Sequence, residues 1–169
     1  MFSAISLGLR VTNWLNWLAA ALLTGFLVML LANPSGFREM VLAGFVGDAA
    51  QYEAVYTYLL ASLSLVPVLA VAVHYILTRL AAVVRDAAGG DAFTETNARR
   101  LAAIGWALLG INCADLLFGW ISIRTSAATG EYFGWSLSLT GWVAVPLLFV
   151  LAHVLREGAR MREDLEGTI

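Results

Sequence analysis

Apolar positions along this chain are gathered into four long runs: Val11 to Leu31, Tyr56 to Thr78, Leu101 to Ile123 and Gly134 to Leu155. A helix rises about 1.5 Å per residue, so each run is long enough to cross the roughly 30 Å hydrocarbon core of a bilayer. The pattern predicts an all-α integral membrane protein, a four-helix bundle whose sequence neighbours are mostly antiparallel because their connections are short. The first run follows a lone Arg10 as a signal peptide would. It is longer than an h-region, however, and ends in Leu31-Ala32-Asn33-Pro34 without a small-x-small site, so an uncleaved helix is expected.

Polar residues between the runs set the orientation. Arg10, Arg79, Arg85, Arg99, Arg100, Arg156, Arg160 and Arg162 flank the runs on one side and only Arg38 and Arg124 on the other, which predicts both termini in the cytoplasm. Trp14, Trp17, Trp120 and Trp135 fall near run ends, where indole rings prefer the headgroup level. In the outer segment 32–55, Phe37, Val41, Leu42 and Phe45 recur at near-helical spacing, predicting a short helix that either lies in the interface or packs under the bundle. On the inner side, loop 79–100 contains the breaker Gly89-Gly90 and then Thr94, a suitable N-cap for the third spanning helix. The tail 156–169 is expected to continue the fourth helix as a cytoplasmic stem, with Arg160 meeting Asp164 or Glu163 on one face.

Composition agrees: the 169 residues are 60% hydrophobic and 13% charged, with a mean hydropathy of +0.80, outside the range of soluble domains. All ten basic residues are arginine, as in proteins from GC-rich bacterial genomes. A net charge of −2 gives no support to a direct nucleic-acid partner. The single cysteine, Cys113, sits in an apolar run and reads as a small core residue.

Two segments carry a resemblance. Phe93-Thr94-x-x-Asn97-x-Arg99-Arg100-Leu101 leading into Gly105, and Leu155-Arg156-x-Gly158-Ala159-x-x-Arg162-Glu163-Asp164-Leu165-x-Gly167-Thr168-Ile169, resemble the bacterial membrane family catalogued as domain of unknown function 2975. Ala92 stands where relatives often have proline. The resemblance implies a small four-helix inner-membrane protein. It also implies a protein partner, a small helix-turn-helix regulator of the kind encoded beside some relatives, in place of a substrate.

Chemistry could reside in three places. Asp115 is the one acid deep in a predicted span, where a carboxyl must be neutral, paired or facing a wet cavity. Gly105, Leu108, Asn112, Asp115 and Gly119 share a stripe at spacings of three and four, so Asp115 is expected to face the bundle. Thr24, Ser62, Ser64, Ser138 and Thr140 come out at similar depth, and with Asp115 and Asn112 they outline either a proton, cation or polar-ligand site or a layer of interhelical packing bonds. His74 and His153 lie at comparable depth near the inner boundary and raise haem b ligation as an alternative to ordinary interfacial histidines. Glycine precedes tryptophan at Trp106, Trp120, Trp135 and Trp142, which suggests a packing seam. No H-E-x-x-H, C-x-x-C or G-x-S-x-G is present, so an enzyme is not expected.

The expected function is therefore a non-enzymatic, multi-pass protein of a bacterial inner membrane. It would contact the lipid bilayer and engage a cytoplasmic protein through Phe93, Thr94, Asn97, Arg99, Arg100, Arg156, Arg160 and Arg162, with a homo-oligomer or membrane complex also open. The alternatives are a small transporter or sensor built on Asp115 and a haem protein built on the histidines. No cofactor is expected under the first reading.

Overall fold

Unbroken apolar sequence with few interior breakers should make long helices, and it does. The computed structural model describes the backbone of residues 2–44 and 49–166, and the side chains of residues 3–39 and 51–164. Among these, the elements are α1 (Phe2–Ala32), α2 (Pro34–Gly44), α3 (Ala49–Ala88), α4 (Glu95–Thr129) and α5 (Leu139–Glu166), with no strand. All but α2 are long and apolar enough to cross a membrane, and in none is more than 22% of the apolar window buried within the chain. Trp14 is 78% exposed and Leu7 63%. Surfaces this apolar are stable only against lipid, so the chain is an all-helical membrane protein with four spans.

The spanning helices extend past the apolar runs. The third element runs on to Ala88, ten residues past Thr78, because alanine and arginine keep the helix going until glycine stops it. The fourth begins at Glu95 and ends at Thr129, where Gly130 takes φ +75° and its N–H bonds the Ser126 carbonyl at 2.9 Å. The fifth behaves differently. It starts at Leu139, not Gly134, leaving residues 131–138 outside any helix.

Contacts divide the chain into two compact units, each taking part of α1, α3 and α4, with α5 wholly in the first. The first comprises Met1–Asn16, Val71–Asn112 and Ser138–Ile169; the second comprises Trp17–Ala70 and Cys113–Leu137.

In the second unit, Asn33 ends one helix and begins the next. Its N–H bonds the Met29 carbonyl at 3.1 Å and its Oδ1 accepts the Gly36 N–H at 3.0 Å, while Pro34 occupies the first position of α2, where a missing N–H costs nothing. The sharp turn brings Phe37 into a cluster with Leu30, Tyr52 and Leu63, its ring centroid 6.4 Å from that of Tyr52 and 6.1 Å from that of Tyr56. The short helix is thus packed on α1 and α3 through Phe37. Phe45 lies outside the described residues, as do the side chains of Val41 and Leu42. Phe37→Ala is expected to destabilise the protein by about 3 kcal/mol, the usual cost of emptying a buried phenylalanine site. Reversible unfolding in mixed micelles would measure it.

Candidate functional site

The arginine-rich end of the first unit is built around one turn. Helix α3 closes in a Schellman motif: the Gly90 N–H bonds the Ala87 carbonyl at 3.2 Å, the Asp91 N–H bonds the Asp86 carbonyl at 2.9 Å, and Gly90 takes φ +91°. Four residues later Thr94 caps α4, its Oγ1 accepting the Asn97 N–H at 3.2 Å. Between these caps the backbone needs other partners, and Asn97 supplies them. Its Nδ2 donates to the carbonyls of Asp91 at 3.0 Å and Ala92 at 3.3 Å, while its Oδ1 accepts from Arg100 at 2.8 Å. Arg100 also pairs with Asp86, and Asn97 itself is fully buried. Thr94, Asn97 and Arg100 therefore hold the turn together.

The remaining motif residues join that turn to α5. A Cβ on Gly158 would lie 2.7 Å from Cδ1 of Phe93, so only glycine lets the ring rest there. Arg156 reaches Glu95 at 3.2 Å and Arg162 reaches Asp91 at 3.2 Å. These pairs are 41–64% exposed, so each contributes at most about 1 kcal/mol, and their role is to fix register. Arg99 reaches Glu95 at 3.6 Å and Arg160 reaches Glu157 at 3.7 Å, both well exposed. The two segments that the sequence offered separately as partner-binding elements form one surface. Phe93 stays 50% exposed on it, and a cleft of about 410 Å³ opens among Glu95, Arg156, Arg160 and Glu163.

Asp115 has a partner that spacing did not reveal. In the second unit, Trp135 donates its indole N–H to Asp115 Oδ1 at 3.3 Å, and the indole lies so close over Gly119 that a Cβ there would fall within the ring. An indole can only donate, so the carboxyl oxygen accepts. Phe133 sits against Tyr58, centroids 4.9 Å apart, and its N–H bonds Ser126 Oγ at 2.9 Å. Residues 131–138 are thereby pinned to α4 as an irregular segment, which is permissible near a bilayer only where protein covers it.

The other members of the expected polar layer go elsewhere. Ser62 bonds the Tyr58 carbonyl of its own helix at 2.6 Å, and Ser64 bonds that of Ala61 at 2.8 Å. Thr24 is half-buried, and Ser138 and Thr140 are exposed. Within the first unit, buried Asn112 packs its Oδ1 against Gly141, and its Nδ2 has no acceptor among the described residues. His74 Nδ1 lies 2.8 Å from Asn13 Oδ1, and His153 is exposed on α5. Cys113 is exposed and not a core residue, and among the described residues no group of three or more His, Cys, Asp or Glu is placed to hold a metal. Three of the four glycines before tryptophan, Gly105, Gly119 and Gly141, receive a side chain from another element. The glycine–tryptophan pattern points to close packing, and the partners, Phe149, Trp135 and Asn112, come from the structure.

The chain belongs to the family described as Protein of unknown function (DUF2975), whose model matches residues 42–169. That span holds both signature segments. Leu165 as a side chain and the closing Gly167, Thr168 and Ile169 lie outside the described residues. No curated protein and no solved structure matches the chain.

Proposed function

We propose that this member of the family is a non-enzymatic bacterial plasma-membrane protein that holds a protein partner on the face formed by the α3–α4 turn and the α5 stem. Both ends of the chain are read as cytoplasmic, from the arginine asymmetry, which puts this face in reach of a cytoplasmic partner. The reading rests on Phe93: a large apolar side chain left half-exposed, yet held from beneath by Gly158 and flanked by the open cleft at Arg156 and Arg160. Rigid aromatic anchors surrounded by arginine are what protein interfaces concentrate their binding energy on, because little side-chain entropy is lost on docking. Transport through Asp115 and haem ligation by the histidines have no comparable observation behind them, since Asp115 is engaged by Trp135 and His153 faces outward.

A photo-crosslinking residue installed at position 93 of the full chain, in its own membranes, tests this. A discrete protein adduct at 93, absent when the probe replaces exposed Leu147 within the fourth span, is the expected result. Adducts only with lipid, or the same adducts from both positions, would remove the proposal.

A further inference from the structure

Charge at the arginine-rich end does not balance evenly. Asp86, Asp91 and Glu95 are all committed to Arg100, Arg162, Arg99 and Arg156. Arg79 stacks over the Tyr75 ring, 3.9 Å from its centroid. That leaves Arg10 on α1 and Arg85 on α3, both exposed, with which no described carboxylate pairs. Asp86, adjacent to Arg85 in sequence, does not neutralise it, being the partner of Arg100.

These two guanidinium groups line the same cleft. It measures about 240 Å³ and is bounded by Ser3, Ser6, Arg10, Ala81 and Arg85. The volume lies below the roughly 300 Å³ at which pockets for drug-sized ligands begin, so it suits a compact group. A narrower slot of about 60 Å³ shares Arg10 and Ala81 with the cleft and continues between Leu9 and Leu77, with Asn13 and Thr78 also at its wall. Both helices are membrane spans, so the site is polar and cationic where the span ends and apolar where the span continues. A soluble anion would use only the first part.

The geometry points to a binding site for an anionic phospholipid between α1 and α3, its headgroup phosphate held by Arg10 and Arg85 with the Ser3 hydroxyl, its first acyl carbons in the Leu9–Leu77 slot. Basic pockets between spanning helices take phosphate headgroups for two reasons: the guanidinium fork matches phosphate oxygens, and the adjoining lipid surface concentrates the ligand. The site occupies one leaflet, the one that this end of α1 meets, and is separate from the face around Phe93.

Native mass spectrometry of the full chain in detergent, titrated with phosphatidylglycerol or phosphatidylcholine, tests the assignment. Wild type is expected to bind phosphatidylglycerol at least about tenfold more tightly, and R10Q/R85Q to lose roughly thirty-fold of that affinity, as two surface arginines predict. Arg99→Gln, which removes an equal charge per residue elsewhere, should leave it unchanged. Ala81→Leu keeps both charges but fills the junction of cleft and slot, and should also abolish the preference; it decides the matter if the double variant misfolds. Equal binding of both lipids by wild type would overturn the assignment. So would an equal loss in Arg99→Gln, an unaltered Ala81→Leu, or displacement of the lipid by millimolar inorganic phosphate.

Discussion

Asn97→Ala is expected to destabilise the protein by about 3 kcal/mol and to open the α3–α4 turn to protease. The side chain is fully buried and makes three hydrogen bonds, two of them to carbonyls of a backbone that has left α3 and has not yet entered α4. Truncation leaves those two carbonyls without their donor and Arg100 with Asp86 alone, and a buried polar group so orphaned costs about 1–3 kcal/mol. Asn97→Asp is the sharper variant. It retains an acceptor for Arg100 but replaces the Nδ2 donor with an oxygen facing two carbonyl oxygens, so it is expected to be no better than alanine. Arg99→Ala, which removes only an exposed i,i+4 pair with Glu95, should stay within about 0.5 kcal/mol of wild type. Reversible unfolding in mixed micelles, with trypsin cleavage at exposed Arg85 as a local probe, would measure all three. A loss below about 1 kcal/mol for Asn97→Ala would mean that the caps at Gly90 and Thr94 hold the turn unaided.

That turn also marks the limit of what the sequence makes legible. Caps are local chemistry: a glycine that must take positive φ and a threonine whose hydroxyl meets an N–H three residues on can be read from neighbouring letters, and both appear as expected. The four spans are equally local, since hydropathy over about 20 residues needs no tertiary information. What joins Arg156 to Glu95, or Arg162 to Asp91, is tertiary placement across a long sequence separation, and spacing carries no trace of it. The partner-binding residues therefore read as two separate segments, although Thr94, Asn97, Arg100, Arg156 and Arg162 build one surface and Arg99 and Arg160 decorate it. Hydropathy fails at residues 134–138, which it assigns to the fourth span, for a different reason. Tyr132, Phe133, Trp135 and Leu137 are as apolar as helix, and nothing local says that their place is against Tyr58 and Gly119.

Gly119→Ala is the substitution that makes this last point measurable. The added methyl would occupy the space of the Trp135 ring, so the indole must leave, and its N–H leaves Asp115 with it. A loss of about 2–3 kcal/mol is expected, combining the displaced packing of a large aromatic with a lost hydrogen bond. Trp135→Phe separates the two parts, because it keeps a ring over Gly119 and deletes only the donor; about 1–2 kcal/mol should remain as its share. Asp115→Asn keeps an acceptor oxygen for the indole and should cost less than either. If the damage in Gly119→Ala runs through Trp135, adding Trp135→Ala should make it little worse, a coupling that independent sites do not show. Full additivity would place the strain of Gly119→Ala elsewhere on α4. The irregular segment would then have to be held by Phe133 on Tyr58 and the Ser126 hydroxyl alone, with Asp115 left to find another donor near the membrane.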